Sequence, residues 1–459
     1  MNAPQVIKMY AARAEIYPRE TSGRYARLRW VCVWLTQLAF YGTPWLRWNG
    51  RQALLFDLGA RKFYVFGLVL WPQDFIYLAA LLIICAYLLF MVTAIAGRVW
   101  CGFACPQTVY TEIFLWIERR IEGPRSARML LDRQRASPRK LAKKSAKHLA
   151  WLAVALWTGF SFVGYFTPIR QLGWEVLHLS FGPWEWFWVL FYSFATYGNA
   201  GWMREQVCKY MCPYARFQSS MFDRDTLIVS YDAARGEPRG PVSKHAQRQG
   251  GSCIDCSMCV QVCPTGIDIR KGLQYECIGC AACVDACNSV MDKVGLARGL
   301  IRYTTDRALD EHYTPTQIKR RALRPRVRIY GAILLLIVGA VGTALWLREP
   351  LKLDVIRDRG SMGREVEGGM IENVYRLQIM NTSETGRRYR IVVAGVPTLA
   401  LAGSDLVNLA PTETLAYPLR LRIARDAARP GSNKITIGLV ALDDPAIHVN
   451  EHAVFIVPH

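Results

Sequence analysis

Cys253-Ile-Asp-Cys256-Ser-Met-Cys259-Val-Gln-Val-Cys263-Pro264 and, soon after it, Cys277-Ile-Gly-Cys280-Ala-Ala-Cys283-Val-Asp-Ala-Cys287 decide the fold of the middle of the chain. Two residues between successive thiols let a tight loop wrap three corners of a cube, and a fourth thiol three residues on completes the run. Thiolates are the soft ligands that iron–sulfur clusters select. In paired runs of this kind the fourth Cys of each run ligates the other cluster. The spacing therefore predicts one four-iron cluster on Cys253, Cys256, Cys259 and Cys287, and a second on Cys277, Cys280, Cys283 and Cys263. Zinc or disulfides are the competing readings, but zinc sites take four ligands as two separated pairs. Asn288 stands where Pro often follows the last Cys, so the second turn is expected to differ and to shift that cluster's potential.

Outward from this segment the composition is that of a membrane protein. The 459 residues are 52% hydrophobic with 15 Trp, yet the formal charge is +21. DNA binding would explain the charge but not the apolar runs. From residue 1 to 347 the net charge is +20, and from 348 to 459 only +1. The excess thus accompanies the apolar runs, as topology rather than a nucleic-acid footprint. All 14 Cys lie at or before Cys287, where a reducing compartment would keep them as metal ligands.

Five stretches approach the roughly 20 residues a bilayer needs: 30–46, 75–96, 149–166, 186–202 and 329–347. Phe63–Trp71 is too short and is expected to lie in the interface. No cleavable leader is visible, so Trp30 onward reads as a retained anchor. Lys and Arg number 6 in the tail 1–29, 4 in 47–74, 12 in 97–148, 1 in 167–185 and 20 in 203–328. The richer segments are expected on the cytoplasmic side. The predicted organisation is a multi-pass α-helical membrane protein of five spans. It has a cytoplasmic tail 1–29, four spans over 30–202 with cytoplasmic loop 97–148, and a cytoplasmic segment 203–328. That segment holds an inserted α+β bacterial-ferredoxin-like domain at about 245–305. A fifth span (329–347) leads to a periplasmic domain at 348–459. The expected location is the bacterial inner membrane, with the N-terminus cytoplasmic and the C-terminus periplasmic.

The last 112 residues read as β. Tyr375, Leu377 and Ile379; Tyr389, Ile391 and Val393; Leu415 through Ile423; and Ile435 through Ala441 alternate with period two, and turn residues such as Pro430-Gly431-Ser432-Asn433 separate them. A small β-sandwich follows, with packing or partner docking as its default role.

Two further motifs bear chemistry. Cys101-Gly-Phe-Ala-Cys105-Pro106 follows the second span and Cys208-Lys-Tyr-Met-Cys212-Pro213 the fourth, each with an aromatic five residues past its second Cys, Tyr110 and Phe217. On a helix, positions i and i+4 share a face, so each pair could present two sulfurs together. Such thiols suit Cu(I) or a dithiol/disulfide couple; buried structural cysteines are the bland alternative. Cys101, Cys105, Cys208 and Cys212 are the candidate copper or redox site. Cys32 and Cys85 are expected to be packing residues, and His448 and His452, four apart in a β context, are not expected to point together.

Several stretches resemble the CcoG family, also called FixG or RdxA. They are Gly97-Arg-Val-Trp-Cys101-Gly-Phe-Ala-Cys105-Pro-Gln, Cys212-Pro-Tyr-Ala-Arg-Phe-Gln218, Asp225-Thr-Leu-Ile-Val, Tyr231-Asp-Ala-Ala-Arg-Gly-Glu-Pro-Arg239, Cys263-Pro-Thr-Gly-Ile-Asp-Ile-Arg270 and Gly299-Leu-Ile-Arg-Tyr303. The resemblance runs from about Tyr25 into the C-terminal domain, which in that family is immunoglobulin-like. It implies an accessory protein for cbb-type cytochrome c oxidase that reduces Cu(II) to Cu(I), with copper as substrate and the two CxxxCP motifs as its site. Asn288 falls where relatives carry Asp, with little effect expected. The expected partners are a cytoplasmic electron donor, copper-delivery or oxidase-assembly proteins and membrane lipid, not nucleic acid, with a homodimer left open. Two other functions compete: a quinol-linked electron-transfer subunit, which the same motif layout also resembles, and a non-catalytic assembly scaffold.

Overall fold

The computed structural model describes residues 15–241, 250–358, 360 and 363–458. The chain divides into two compact units. One comprises residues 1–47 and 78–338, the other residues 48–77 and 339–459.

The first unit is helical with the Cys-rich segment inserted. Its elements begin with α1 (Arg24–Gly42), α2 (Phe75–Ala96), α3 (Val99–Phe103) and α4 (Pro106–Glu122). They continue with α5 (Arg125–Arg133), α6 (Pro138–Val163), α7 (Ile169–Leu177), α8 (Pro183–Thr196) and α9 (Pro213–Ser219). Among the described residues three helices are long and apolar enough to cross a membrane: Pro72–Ala96, Pro138–Val163 and Pro325–Trp346. The two other expected spans fall short for visible reasons. α1 carries Arg24, Arg27 and Arg29 in its first two turns. α8 has only 14 α-helical residues, about 21 Å at 1.5 Å per residue, before it widens into π-helical turns at Tyr197–Met203. Cys85 is exposed on α2 rather than packed, while Cys32 is half-buried.

Buried charges fix the helices in register. Glu118 on α4 pairs with Arg128 at 3.1 Å and with Arg204 at 2.5 Å. Glu122, one turn on, pairs with Lys144 at 3.0 Å and Lys147 at 2.9 Å, both on α6. Burial by itself pushes the Glu118 carboxyl up; Arg204 and Arg128 more than offset it and hold it below its ordinary range.

The second unit is the β-sandwich. One sheet runs Ala400–Leu401, Thr414–Ala424, Met370–Asn381 and Leu351–Arg357, with Arg364–Val366 also pairing Met370–Asn381. The other runs Leu406–Leu409, Arg387–Ala394, Gly431–Ala441 and His448–Val457. Period-two alternation puts Tyr375, Leu377, Ile379, Leu421 and Ile423 of the first sheet in one core with Tyr389, Ile437, Leu439 and Phe455 of the second. Each fully buried side chain of this size is worth about 1.5–3 kcal/mol. Two polar groups tie the layers. The Tyr375 hydroxyl donates to the Val454 carbonyl at 2.8 Å, and Asn373 Nδ2 donates to Ile456 at 2.9 Å. His448 and His452 take separate partners, Ala446 and Thr436.

Phe63–Trp71 folds as part of a β-hairpin. It contributes strands Lys62–Val65 and Leu68–Leu70 to a three-stranded sheet with Leu54–Asp57, and its Val69 and Trp71 are buried against Met380 of the sandwich. Asp74 fastens this hairpin: it accepts from Arg348 at 2.7 Å and also from Lys352. Asp74→Asn is expected to release the hairpin, at a cost below the roughly 3–5 kcal/mol of breaking a fully buried pair because Lys352 reaches solvent. Hydrogen exchange should quicken over 54–70 while 435–441 stays protected; unchanged exchange at 54–70 would show that the ion pair does not fasten it.

Candidate functional site

Each Cys-rich run is a loop whose backbone alternates in handedness. Asp255 and Ser257 flank Cys256 with φ of 52° each, and Gly279 and Ala281 flank Cys280 with φ of 67° and 56°. Left-handed residues between thiols turn successive N–H groups toward the enclosed space, forming an anion-binding nest. That three of the four are not glycine marks strain held by the surroundings. The runs then enter helices Met258–Gln261 and Ala282–Lys293, and strands Ile228–Tyr231 and Ile301–Thr304 pair antiparallel beside them. Asn288 does not make a second Pro-type turn. It lies within the second helix, and its Oδ1 accepts from Gly299 N–H at 2.9 Å.

Cys253, Cys256, Cys259 and Cys287 line one small cavity with apolar neighbours such as Ile254 and Leu300. Cys263, Cys277, Cys280 and Cys283 line another, into which Cys259 also reaches. The eight run cysteines thus line two small cavities among mostly apolar neighbours, with Arg270 in one wall and Thr265 in the other, surroundings that suit an iron–sulfur cluster. Burial pushes the Cys277 and Cys287 thiols up to about 12 and that of Cys259 up to about 11. Thiolates at these positions therefore need a cation between them, as cluster iron would supply. Cys256 is exposed, so the first set reaches solvent.

The two CxxxCP motifs are built alike, but neither is one continuous helix. α3 ends at Phe103, and Cys105 is the extended N-cap of α4 (φ −61°, ψ 129°). Cys208 lies in the π-helical turn Val207–Met211, and Cys212 is the extended N-cap of α9 (φ −77°, ψ 110°). The expected i, i+4 presentation fails for one reason. A residue before Pro is driven out of the helical region, and Pro at the first helical position starts a new helix.

Side chains draw the motifs together. Gln107 Nε2 donates to Asn199 and Arg204 carbonyls at 2.9 and 3.1 Å. The fully buried Gln218 donates to Gly97 O at 3.0 Å, and its Oε1 lies 3.6 Å from Cys101 Sγ. Burial pushes the Cys101 thiol up to about 12, with Cys105 adding and Arg98 opposing, and Cys208 and Cys212 adding further. Burial likewise raises Cys208 to about 11, with Cys105 and Cys212 adding. All four thiols thus sense one another. Among the described residues no three His, Cys, Asp or Glu side chains, in these motifs or in the two Cys-rich runs, converge as a preformed site for a single ion. Tyr110 joins the apolar cluster around Phe114 and Trp151, whereas Phe217 is exposed beside Phe90.

The turn carrying Cys101 rests directly on the second cluster loop. A Cβ at Gly102 would lie 2.8 Å from Cys280 Cα and from Ile278 O. Arg98, buried to 5% exposure, donates to the carbonyls of Tyr275 and Ala215, reaching both the cluster loop and α9. Arg29 donates to Cys280 O at 2.6 Å, and Tyr303 donates to Gly279 O. Among the described residues no carboxylate pairs with Arg98. Four thiolates around an oxidised cluster leave net negative charge, which would compensate this buried cation and is a second respect in which the residues fit such a group. Arg98, Gly102 and Gln218 were not singled out from sequence; a cation and a glycine bracketing Cys101 were the available signal.

Comparison with known proteins agrees with this architecture. Residues 203–306 match a 4Fe-4S dicluster domain, 78–124 a 4Fe-4S binding domain, and 341–458 the family described as an IG-like fold at the C-terminal of FixG. Protein RdxA of Cereibacter sphaeroides is 38% identical over 95% of this chain and 95% of its own length. Nitrogen fixation protein FixG of Rhizobium meliloti is 36% identical over 96% of this chain and 92% of its own. Protein RdxB of Cereibacter sphaeroides is 40% identical over 87% and 86%. With its ferredoxin-type domain, its apolar helices and its immunoglobulin-like C-terminal domain, the chain belongs to the FixG/RdxA family of membrane-associated iron–sulfur electron-transfer proteins.

Proposed function

We propose that this protein reduces Cu(II) to Cu(I) at Cys101, Cys105, Cys208 and Cys212 for the assembly of cbb-type cytochrome c oxidase. The observation that carries the reading is the backbone contact between Gly102 and Cys280, which puts the thiol motif against a cluster ligand. In this reading Cys253, Cys256, Cys259 and Cys287 hold one [4Fe-4S] cluster, and Cys277, Cys280, Cys283 and Cys263 the other. The protein sits in the inner membrane with its N-terminus and cluster domain cytoplasmic.

When bound, the clusters supply one-electron carriers. The chain's own residues do the rest. Gly102 permits the close approach, and Arg98 holds the cluster loop and α9 against one another. The thiols take copper as substrate: soft thiolates bind Cu(I) more tightly than Cu(II), so binding favours the reduced product. Each turnover moves one electron to one Cu(II) and needs no proton. Burial raises the Cys101, Cys105 and Cys208 thiols, which keeps them protonated until the metal displaces the protons.

Reduced protein with all four motif cysteines changed to Ser should keep both cluster signals and form Cu(I) about ten-fold or more slower than wild type; equal rates would remove the thiols from the reaction. Gly102→Ala should separate the loop from the motif and slow Cu(I) formation about ten-fold, with the signal of the cluster on Cys253 retained. A Gly102→Ala protein with unaltered clusters and rate would contradict the contact's role.

The match of residues 78–124 to a 4Fe-4S binding domain favours a second reading, in which the four motif thiols hold a further cluster. Iron analysis separates the two: about eight irons per chain for two four-iron clusters, about twelve for three.

A further inference from the structure

Within the first unit lies a cavity of about 760 Å3 bounded by α1, α4 and the loops that carry Cys208 and Cys280, both of which stand in its wall. The size suits a cofactor or small molecule. Its wall next to Cys280 is Arg29, whose guanidinium already donates to the Cys280 carbonyl at 2.6 Å. The wall also holds Glu205, buried at 6% exposure. Among the described residues it pairs with no Lys or Arg and accepts one side-chain hydrogen bond, from Gln206 at 3.0 Å. The rest of the wall mixes apolar side chains, Ala26, Trp30, Val31, Leu115 and Ile278 among them, with polar ones such as Gln107 and Thr111.

Three features restrict the occupant. A candidate cluster ligand, Cys280, and a motif thiol, Cys208, in the wall mean that what binds is within reach of electron exchange. Five arginines (Arg19, Arg27, Arg29, Arg119 and Arg204) against three glutamates (Glu20, Glu112 and Glu205) disfavour a metal cation. From the cavity, α1 continues with exposed Val31, Trp34, Leu35 and Leu38, an apolar face of the kind that meets lipid. A ligand reaching the cavity along that face is itself lipid-soluble.

We infer that this cavity takes the head group of a membrane quinol, the electron donor of the path proposed above, on which the assignment rests. Guanidinium N–H groups suit the carbonyl oxygens of the quinone, and the Glu205 carboxylate suits the O–H of the hydroquinone. Both hydroquinone O–H bonds break, its two protons leave to water, and its two electrons go one to each cluster, giving the quinone. One two-electron donor thereby loads two one-electron carriers, which accounts for a pair of clusters ahead of a one-electron reduction.

The test runs the step in reverse and contains no copper, so its failure and that of the copper reading are distinguishable. Clusters of the full-length protein are reduced, excess reductant is removed, and reoxidation by a short-chain benzoquinone is followed by visible absorbance. Glu205→Gln and Ala26→Phe, which fills the cavity, should each slow reoxidation about ten-fold relative to wild type. Both should leave reoxidation by ferricyanide, a small outer-sphere oxidant, unchanged. If Ala26→Phe does not retain its clusters, Glu205→Gln carries the test. Wild-type protein that the quinone does not oxidise, or both variants oxidised at the wild-type rate, would overturn the assignment. Oxidised flavin mononucleotide acting as fast as the quinone, and equally slowed by the variants, would assign the cavity to a soluble flavin and overturn it as well.

Discussion

The contact between Gly102 and the Cys277–Cys287 loop is a constraint of backbone against backbone. No flexible side chain can yield there, because the atoms a Cβ would meet are Cys280 Cα and N and the Ile278 carbonyl oxygen. Everything that brings the two Cys-rich systems together is arranged around this approach. Arg98 clamps one side of it through Tyr275 and Ala215, and Arg29 holds the Cys280 carbonyl. Asp285, in the helix after the loop, accepts from the backbone N–H groups of Tyr25 and Ala26 at 3.3 and 2.7 Å. A carboxylate at the start of α1 meets the positive end of that helix. The second cluster set is thereby held from three directions, whereas the first presents Cys256 to solvent.

Desolvation runs through the whole site. Burial pushes the Cys101, Cys105 and Cys208 thiols toward the neutral form, and the buried side chains of Arg98 and Glu205 have no ion partner among the described residues. Such an arrangement is costly unless something of complementary charge or hydrogen-bonding capacity completes it. One short stretch, Gly97 to Gln107, meets several of these features: Arg98 and Gly102 touch the cluster loop, Cys101 and Cys105 are motif thiols, and Gln107 lines the large cavity.

Features with local causes were legible in the sequence. Cluster spacing is a property of one loop, and the thiols of the two runs line two small cavities that share Cys259. Strand alternation is a property of one strand, and Tyr375, Leu377 and Ile437 are buried as their period requires. Local reasoning also misread one motif: the i, i+4 argument for Cys101 and Cys105 ignored Pro106, which ends the geometry it assumed. Features with distant causes were not legible. The hairpin 48–77 belongs with the sandwich through Asp74, Arg348 and Lys352, residues whose meeting no periodicity encodes. Of the five apolar stretches, the two that fall short as spanning helices are the one whose helix, after three arginines in its first two turns, ends at Gly42, and the one that passes into π-helical turns.

The central claim is that electrons reach copper through the Cys263, Cys277, Cys280 and Cys283 set. Freeze-quench electron paramagnetic resonance of the reduced protein mixed with one equivalent of Cu(II) tests it most directly. The account predicts that the Cu(II) signal and the signal of the cluster on those four thiols disappear together, with the Cys253-containing cluster oxidised only afterward. Loss of the Cys253-containing cluster's signal first, or a Cu(II) signal that outlasts both clusters, would contradict it.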